Sequence, residues 1–415
     1  MRILFVHQNF PGQYKHLAKI LADQGHHVLA LCDERLVSHA QSAFPKIKVI
    51  GYPSPQEPAL GTHRYLRDAT WAIRRGQAVA RLLIQIKNQD WRPDVVYVHT
   101  GWGEALFIKE VFPATKVVGY FEYYYHTSGT DVNFDPEFPV SFDDIFRIKV
   151  KNTVNLLSME VCDIGITPTR WQQSQYPTHY QPQIHVIHEG IDTTVLQPKQ
   201  ISGLQLADGR VLISQATPII TFVNRNFEPS RGFHIMMRAL PFLQTQVPYA
   251  HVVMVGGDNP GYGLPHSSGK TYREVLTEEL GDKVDWSKIH FVGDLAYPQF
   301  IDLLQAATVH VYWTIPFVLS WSLLEAMALG KAIVASDTPP VREVLIDRKT
   351  GVLSPFFEPA QLAINIVELV CNPTLREELG NAARQHVIEH YDLQHVCLPA
   401  HMALLNQIVG SPSPK

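Results

Sequence analysis

The most constraining feature of this sequence is a regular alternation between short, fully apolar runs and longer tracts of helical periodicity. Residues 3–6 are all apolar, a polar loop follows at 7–12, and Leu17 and Leu21 then lie on one helical face before the next apolar run at 27–31. A strand that is apolar on both faces is typical of a parallel sheet covered by helices. This segment therefore predicts a βαβ unit.

The same alternation continues through two successive halves of the chain. Further strands are predicted at 48–50, 95–98, 116–121, 164–167 and 185–187, and then at 219–223, 251–255, 289–292, 309–312, 332–335 and 351–353. Between the halves, residues 193–217 hold scattered Pro, Gly and Gln without a sustained period, which is typical of a linker or an exposed hairpin.

The predicted fold is α/β, with two Rossmann-like domains, each a doubly wound parallel sheet. We expect a first domain at 1–195, a linker or hairpin at 196–217, a second domain at 218–390, and a C-terminal helix at 391–415 that packs back on the first domain and ends in a frayed tail. Sheets of this kind bind ligands at the carboxyl ends of their strands, and two that face each other enclose a cleft.

Composition narrows the class of protein. The 415 residues are 46% hydrophobic and 18% charged, with a net charge of −4, which indicates a folded globular protein and argues against a general nucleic-acid partner. The four cysteines have no C-x-x-C spacing, so we expect buried thiols of a reducing cytosol. No run approaches 18 apolar residues, and the apolar run at 3–6 near the N-terminus is too short for a signal peptide. We therefore expect a cytoplasmic protein, and the sequence leaves its oligomeric state open.

The loop at 224–232 in the second half is the first segment whose residues indicate a binding function. It begins with Asn224, places Arg225 and Arg231 on either side of a turn, and ends in Gly232, where a helix begins. Free N–H groups at a helix N-terminus and two guanidinium groups suit a diphosphate. The alternative is a solvated surface turn with two ordinary arginines.

Two further loops follow later strands. Gly293 ends one strand, where the chain can approach a flat ligand closely, although a plain turn is the alternative. Glu325 lies in the middle of a helix that is apolar nearly all round, so its carboxylate is predicted to be buried and to need donors. The hydroxyls of a nucleotide's ribose would serve, and the alternative is a structural pair with a backbone amide or with Arg342.

Taken together, these motifs resemble glycosyltransferase family 4. The resemblance covers nearly the whole chain and is carried by Arg225, Arg231-Gly232, the Gly293 loop, the segment 324–330 (L-E-A-M-A-L-G), and the segment 188–192 (H-E-G-I-D), which is similar to the family's N-G-V-D turn. It implies the GT-B fold and transfer of a sugar from a nucleotide donor, with UDP the commonest, with retention of anomeric configuration and without a metal or other cofactor. It implies as acceptor a hydroxyl of a glycan, a lipid-linked compound or a small molecule.

The resemblance also assigns residues to the donor. Arg225 and Arg231 would hold the diphosphate and stabilise it as it leaves, and Glu325 would bind the ribose. Gly12 stands where the family's first-loop glycine lets the diphosphate and acceptor approach. The family usually has Lys at the position of Arg231.

Position 317 departs from the family pattern. Eight residues before Glu325 the family's E-x7-E motif has a Glu that contacts hydroxyls of the donor sugar, and here the residue is Phe317. We expect the backbone N–H groups of Val318, Leu319 and Ser320 to reach the sugar and phosphates instead. The departure leaves open a catalytically silent protein that binds a sugar nucleotide.

Candidates in the first half follow two strands whose carboxyl ends are predicted to be neighbours. Glu122 is the nearest match to the polar residue, commonly His, that supports the reacting sugar in the family, and His126 is the second. The residues predicted to lie on the acceptor side are His99, Trp102, Tyr124 and Asp131. The tyrosines that follow Glu122 are either a sugar platform or ordinary packing.

Three other hypotheses come from weaker signals. Asp131-Val132-Asn133 resembles a D-x-D metal motif, but that motif belongs to the other major glycosyltransferase fold, so we expect no metal there. The basic, amphipathic tract 62–92 is either a helix that covers the sheet or a surface for peripheral contact with the inner membrane. A nucleotide-sugar epimerase is a third function on the same fold, but it needs paired acid and base groups that this sequence lacks.

Overall fold

The computed structural model describes residues 1–199, 201, 204, 217–261, 263 and 265–410. The chain forms two compact units: the first consists of Met1–Asn133, Pro139–Gly190 and the chain from Leu393 onward, and the second of Phe134–Phe138 and Ile191–Asp392. Most of the predicted linker at 196–217, and the predicted frayed end at 411–415, lie outside the described residues.

The first unit is built on a seven-stranded parallel sheet in the order β3-β2-β1-β4-β5-β6-β7. Its strands are β1 (Arg2–Val6), β2 (His27–Asp33), β3 (Lys48–Tyr52), β4 (Val95–His99), β5 (Lys116–Tyr120), β6 (Ile164–Thr167) and β7 (Ile184–Val186). Its helices are α1 (Lys15–Asp23), α2 (Val37–Ala43), α3 (Arg67–Asn88), α4 (Ile108–Val111), α5 (Phe142–Lys151), α6 (Thr153–Val161) and α7 (Arg170–Gln175).

The second unit repeats this plan with a six-stranded parallel sheet in the order β10-β9-β8-β11-β12-β13. Its strands are β8 (Ile219–Asn226), β9 (His251–Gly257), β10 (Ile289–Phe291), β11 (Val309–Tyr312), β12 (Ile333–Ser336) and β13 (Val352–Ser354). Its helices are α8 (Phe233–Gln246), α9 (Tyr272–Leu280), α10 (Tyr297–Ala306), α11 (Trp321–Ala328), α12 (Pro339–Val344), α13 (Pro359–Cys371) and α14 (Pro373–Tyr391). These two sheets confirm the predicted α/β fold with two Rossmann-like domains.

Both faces of the first sheet are buried, as the apolar runs require. Successive side chains of a strand point to opposite faces, so Ile3 and Phe5 lie in one apolar cluster whereas Leu4 and Val6 lie in another. The last helix, α15 (Leu398–Gly410), contributes Leu405 to the cluster that contains Ile3. The C-terminal part of the chain is thereby packed into the core of the first unit.

Each sheet has one point at which its strand order reverses direction. In the first unit this point lies between β1 and β4, and in the second between β8 and β11. Loops that leave adjacent strands in opposite directions open a crevice at the carboxyl ends, which is where ligands bind in open α/β sheets. The loops after these four strands therefore define the candidate sites.

Two smaller observations complete the fold. Cys32, Cys162 and Cys397 are buried free thiols, as predicted, whereas Cys371 is exposed because it ends α13 at the surface. None of the described helices is both long enough and apolar enough to cross a membrane.

Candidate functional site

Arg231 is held by the loop that follows β11. Its Nη1 donates to Thr314 Oγ1 at 2.8 Å and to the Val318 carbonyl oxygen at 3.0 Å, and its guanidinium carbon lies 5.4 Å from the centroid of the Phe317 ring. Nη1 carries two hydrogens, so these bonds use both. The hydrogens on Nε and Nη2 donate to no described residue, and this edge of the guanidinium is the one that binds a phosphate or carboxylate in bidentate fashion.

Gly232 makes the turn that places Arg231 before α8. Its φ is +64°, and a Cβ added there would lie 2.0 Å from Trp313 Cδ1. Any side chain would therefore strain the backbone and collide with a tryptophan that is buried in the core. The glycine is required for the close approach of this loop to β11.

Asn224 and Arg225 lie at the end of β8, which is one of the two strands at the switch point of the second sheet. Arg225 is exposed and forms no hydrogen bond or ion pair with the described part of the chain. The buried Nδ2 of Asn224 likewise has no hydrogen-bond partner among the described residues. Both groups are available to a ligand.

The backbone of 318–320 is only partly available. The Ser320 N–H donates to the Tyr312 hydroxyl at 2.8 Å, and the Ser320 side chain caps α11 by accepting from Ser322 N. A buried tyrosine therefore already uses the Ser320 N–H, and the predicted contact of this donor with a sugar or phosphate would require that bond to break. The N–H groups of Val318 and Leu319 donate to no described residue.

Glu325 is buried in α11, as its apolar surroundings predict, and is 5% exposed. Its Oε1 accepts a hydrogen bond of 2.9 Å from the Tyr297 hydroxyl, at the start of α10. Arg342, the alternative partner suggested by the sequence, instead pairs with Asp337. Burial and the adjacent carboxylate raise the pKa of Tyr297 well above its ordinary value, so the phenol stays a donor to Glu325.

Gly293 lies two residues after the end of β10 and four residues before Tyr297. It has a φ of +67°, and a Cβ added there would meet nothing within 4 Å. The backbone conformation therefore favours glycine, and the space beside it is open.

In the first unit, a chain of hydrogen bonds between side chains ends at the Glu122 carboxylate. His7 Nδ1 accepts from Asn9 N, so its Nε2 carries the hydrogen and donates to Gln13 Oε1 at 2.7 Å. Gln13 Nε2 then donates to Glu122 Oε1 at 3.2 Å. Burial, with a smaller contribution from His99, lowers the pKa of His7 to about 3, so this imidazole is neutral at pH 7.

His99 lies beside the other carboxylate oxygen of Glu122, and Trp102 packs on His99. His99 Nδ1 accepts from Gly101 N, and its Nε2 lies 3.3 Å from Glu122 Oε2. The Trp102 ring stacks on the His99 ring at a centroid distance of 3.7 Å and an angle of 8°. The structure thus brings together the predicted residues Glu122, His99 and Trp102.

Gly12 lies against the same group. Its φ is +48°, and a Cβ added there would lie 2.3 Å from His7 Nε2, the atom that donates to Gln13. A side chain at this position would displace the imidazole that orients Gln13 and, through it, Glu122.

The remaining predicted residues of the first unit are engaged elsewhere. His126 Nε2 donates to the Gln175 carbonyl at 2.8 Å, and Tyr124 packs against His126. Asp131 Oδ1 accepts from the Tyr123 hydroxyl at 2.7 Å and from Thr130 Oγ1 at 3.0 Å. These contacts join neither His126 nor Asp131 to the Glu122 group.

One group of the described residues has the spacing of metal ligands. Asp135, Glu137 and His234 each offer a ligand atom within 4.8 Å of the others. Arg238, however, donates to both oxygens of Glu137, at 2.6 and 2.8 Å, and a cation would have to displace this guanidinium. The group is therefore better described as a salt-bridge network than as a metal centre.

Helix α3 carries most of the basic amphipathic tract predicted at 62–92. Its buried residues include Val79, Leu83 and Ile86, which pack on the first sheet, as the sheet-covering interpretation expects. Arg75 donates to the Trp102 carbonyl at 3.0 Å, so one arginine of the tract supports the loop after β4.

Sequence reasoning missed Tyr297, Gln13 and His7. Tyr297 contacts Glu325, and Gln13 contacts Glu122. In each pair the two residues are far apart in the sequence, so no local pattern predicts the contact. His7 could have been found from its position directly after a buried strand that neighbours the switch point.

Comparison with known proteins agrees with this arrangement. Residues 24–196 match the family described as Glycosyl transferase family 4 group, and residues 208–386 match Glycosyl transferases group 1. The two matches fall one on each half of the chain, together span most of it, and are both to glycosyltransferase families, in agreement with a GT-B fold of two Rossmann-like domains.

Named relatives belong to the same class. The chain is 28% identical over 259 residues to alpha-maltose-1-phosphate synthase of Mycolicibacterium smegmatis, covering 60% of this chain and 64% of that protein, which is just under two thirds of its length. It is 23% identical to glycogen synthase of Mycobacterium tuberculosis, covering 100% of this chain and 97% of that one. The fold is similar to Anabaena Alr3699/HepE, crystallised in complex with UDP, with a TM-score of 0.69 at 17% identity, covering 98% of this chain and 100% of that one.

Proposed function

We propose that this protein is a retaining glycosyltransferase of family 4, of hexosyltransferase type, that uses a nucleotide-sugar donor. The observation that carries the proposal is the guanidinium of Arg231, with one nitrogen fixed by Thr314 and Val318 and its Nε–Nη2 edge left to a ligand. UDP is the proposed nucleotide because the structurally similar Anabaena protein binds it. The acceptor is a hydroxyl of a glycan, a lipid-linked compound or a small molecule.

The proposed reaction is a front-face substitution at the anomeric carbon of the donor sugar. The acceptor oxygen bonds to this carbon on the face from which the diphosphate leaves, while the bond from the carbon to the phosphate oxygen breaks. The acceptor's proton passes to an oxygen of the departing β-phosphate. No side-chain nucleophile takes part, so the protein accelerates the reaction by positioning the substrates and by stabilising the charge of the leaving group.

Named residues take the following parts in this proposal. Arg225 and Arg231 bind the diphosphate, with Asn224 and Gly232 shaping the loop between them. Glu325, oriented by Tyr297, accepts from the ribose hydroxyls. Glu122, oriented by the hydrogen bond from Gln13, binds hydroxyls of the reacting sugar or acceptor.

A thermal-shift screen tests the choice of donor. UDP-, GDP- and ADP-glucose are each added to the protein, since a ligand that binds only the folded state raises the melting temperature. We expect the UDP-sugar to give the largest shift and the Arg231→Ala variant to lose it. A protein that binds the sugar nucleotide but never releases nucleoside diphosphate would instead be a silent binding protein, which is the alternative that Phe317 raises.

A further inference from the structure

We propose that Phe317 positions the guanidinium of Arg231 for a nucleoside diphosphate, in place of contacting the donor sugar. This inference rests on the proposed function and concerns the same site. Phe317 is 8% exposed, and its ring lies against the guanidinium at 5.4 Å from centroid to carbon. A cation within about 6 Å of an aromatic ring is attracted by the negative charge on the ring's face.

A single loop makes three contacts to Arg231: two hydrogen bonds and the contact with the Phe317 ring. Thr314 Oγ1, the Phe317 ring and the Val318 carbonyl all lie in the five-residue segment 314–318, which follows β11. The N–H of Ser320, two residues further on, donates to the buried Tyr312 hydroxyl and so ties this segment to the strand. The two hydrogen bonds fix Nη1, and the ring limits rotation of the guanidinium plane. An arginine that is ordered before the ligand arrives loses less side-chain entropy on binding, so the affinity for the ligand rises.

The chemistry of the two side chains explains why a phenylalanine suits this place. Arginine has a flat guanidinium that lies well on an aromatic ring, whereas a lysine ammonium is compact and strongly hydrated. A glutamate at 317 would instead pair with Arg231 and compete with a phosphate for the Nε–Nη2 edge. The two positions that depart from the family pattern, 231 and 317, are therefore in contact and are complementary to each other.

A double-mutant cycle measured by calorimetry with UDP tests this proposal. We expect Phe317→Leu to weaken UDP binding about three- to tenfold, which is the range of one cation–π contact. Phe317→Tyr should keep the wild-type affinity because it keeps the ring. In an Arg231→Ala background, Phe317→Leu should have no further effect, since its action passes through the guanidinium.

Two controls separate positioning from a structural role. Uridine lacks the phosphates, so its affinity should be the same in wild type and Phe317→Leu if the ring acts on diphosphate binding alone. Phe242→Leu removes a 48% exposed aromatic ring from α8 of the same unit and should leave UDP binding unchanged.

Each other outcome overturns the proposal. An equal loss of UDP affinity in the Arg231→Ala background, or an equal loss for uridine, would show that Phe317 acts only by shaping the pocket. Unchanged UDP affinity in Phe317→Leu would show that the ring has no effect on Arg231. Wild-type protein that binds none of UDP, GDP and ADP would overturn the proposed function itself, and this inference with it.

Discussion

The guanidinium carbon of Arg231 lies 5.4 Å from the centroid of the Phe317 ring, and the same side chain donates to the Val318 carbonyl at 3.0 Å. The loop after β11 thus holds the arginine that follows β8. These two strands are adjacent in the second sheet, at the point where its strand order reverses. The geometry therefore connects the switch point of the fold directly to the proposed diphosphate site.

Arg231→Ala should weaken UDP binding by about 2–5 kcal/mol, the range for removing one partner of a buried, charge-assisted contact. Arg231→Lys should be intermediate, because it keeps the charge and loses the bidentate edge. Isothermal calorimetry measures both. Arg348→Ala is the matched control, since Arg348 is half exposed and pairs only with Glu368 among the described residues. Unchanged affinity in a folded Arg231→Ala protein would remove this residue from the site.

Phe317→Glu should lower both activity and melting temperature, although it restores the family's usual residue. The site is apolar and nearly closed to solvent, and an unprepared carboxylate there costs several kcal/mol unless Arg231 neutralises it. Donor hydrolysis and thermal melting are measured together with those of Glu122→Gln, which should slow turnover without loss of stability. A Phe317→Glu protein with raised activity, beside a silent Glu122→Gln, would indicate a degenerate donor site.

Glu325→Gln should weaken nucleoside binding about tenfold, or about 1.4 kcal/mol, because an amide offers one acceptor oxygen where the carboxylate offers two. Tyr297→Phe should give a smaller loss, since it removes only the donor that orients Glu325. Uridine is the ligand for this titration, as it reports on the ribose without the phosphates. Normal uridine affinity with a lowered melting temperature in Glu325→Gln would make the carboxylate purely structural.

Stability should fall as the pH decreases from 7 to 5. Burial lowers the pKa of His310, in the centre of β11, to about 3 from an unfolded value near 6.5. Between these values the unfolded chain binds a proton that the folded protein does not, so the folded state loses stability as pH falls through 6.5, by about 2 kcal/mol at pH 5. Urea unfolding at both pH values measures this loss. His310→Gln should make the loss between pH 7 and pH 5 smaller by about 2 kcal/mol and leave the part that comes from other buried histidines such as His7, whose pKa is also lowered. His39→Gln, at an exposed position, should leave the loss unchanged. Equal slopes for all three proteins would contradict a contribution from His310.

Much of the fold follows from the sequence because each strand is apolar on both faces. The runs at 3–6 and 309–312 could be identified as buried strands for this reason, and the alternation with helices then fixed a parallel sheet in each half. The boundary within the first half could not be predicted. Phe134–Phe138 belongs to the second unit through tertiary contacts such as that of Phe138 with Tyr272, and no local pattern marks them.

The candidate site was predictable where a residue's position in the fold decides its role. Gly232 could be identified because it stands where a helix begins. Glu325 could be identified because a carboxylate within an apolar helix needs hydrogen-bond donors. The partners of these residues could not be predicted in the same way, since Tyr297 and Gln13 reach their carboxylates through long side chains. The competition for the Ser320 N–H was equally hidden, because the Tyr312 hydroxyl that accepts it comes from inside the sheet.

The most direct test of the account is the anomeric configuration of the first product. In the absence of acceptor, many transferases slowly hydrolyse their sugar nucleotide, with water in the acceptor's place. Proton NMR can therefore follow the hydrolysis of UDP-glucose, and of GDP-glucose and ADP-glucose in parallel samples. Retention predicts that the α-anomer of the sugar appears first, at a rate that Arg231→Ala lowers at least tenfold. Initial release of the β-anomer, or release of nucleoside diphosphate at the same rate by wild type and Arg231→Ala, would contradict the proposed retaining transfer.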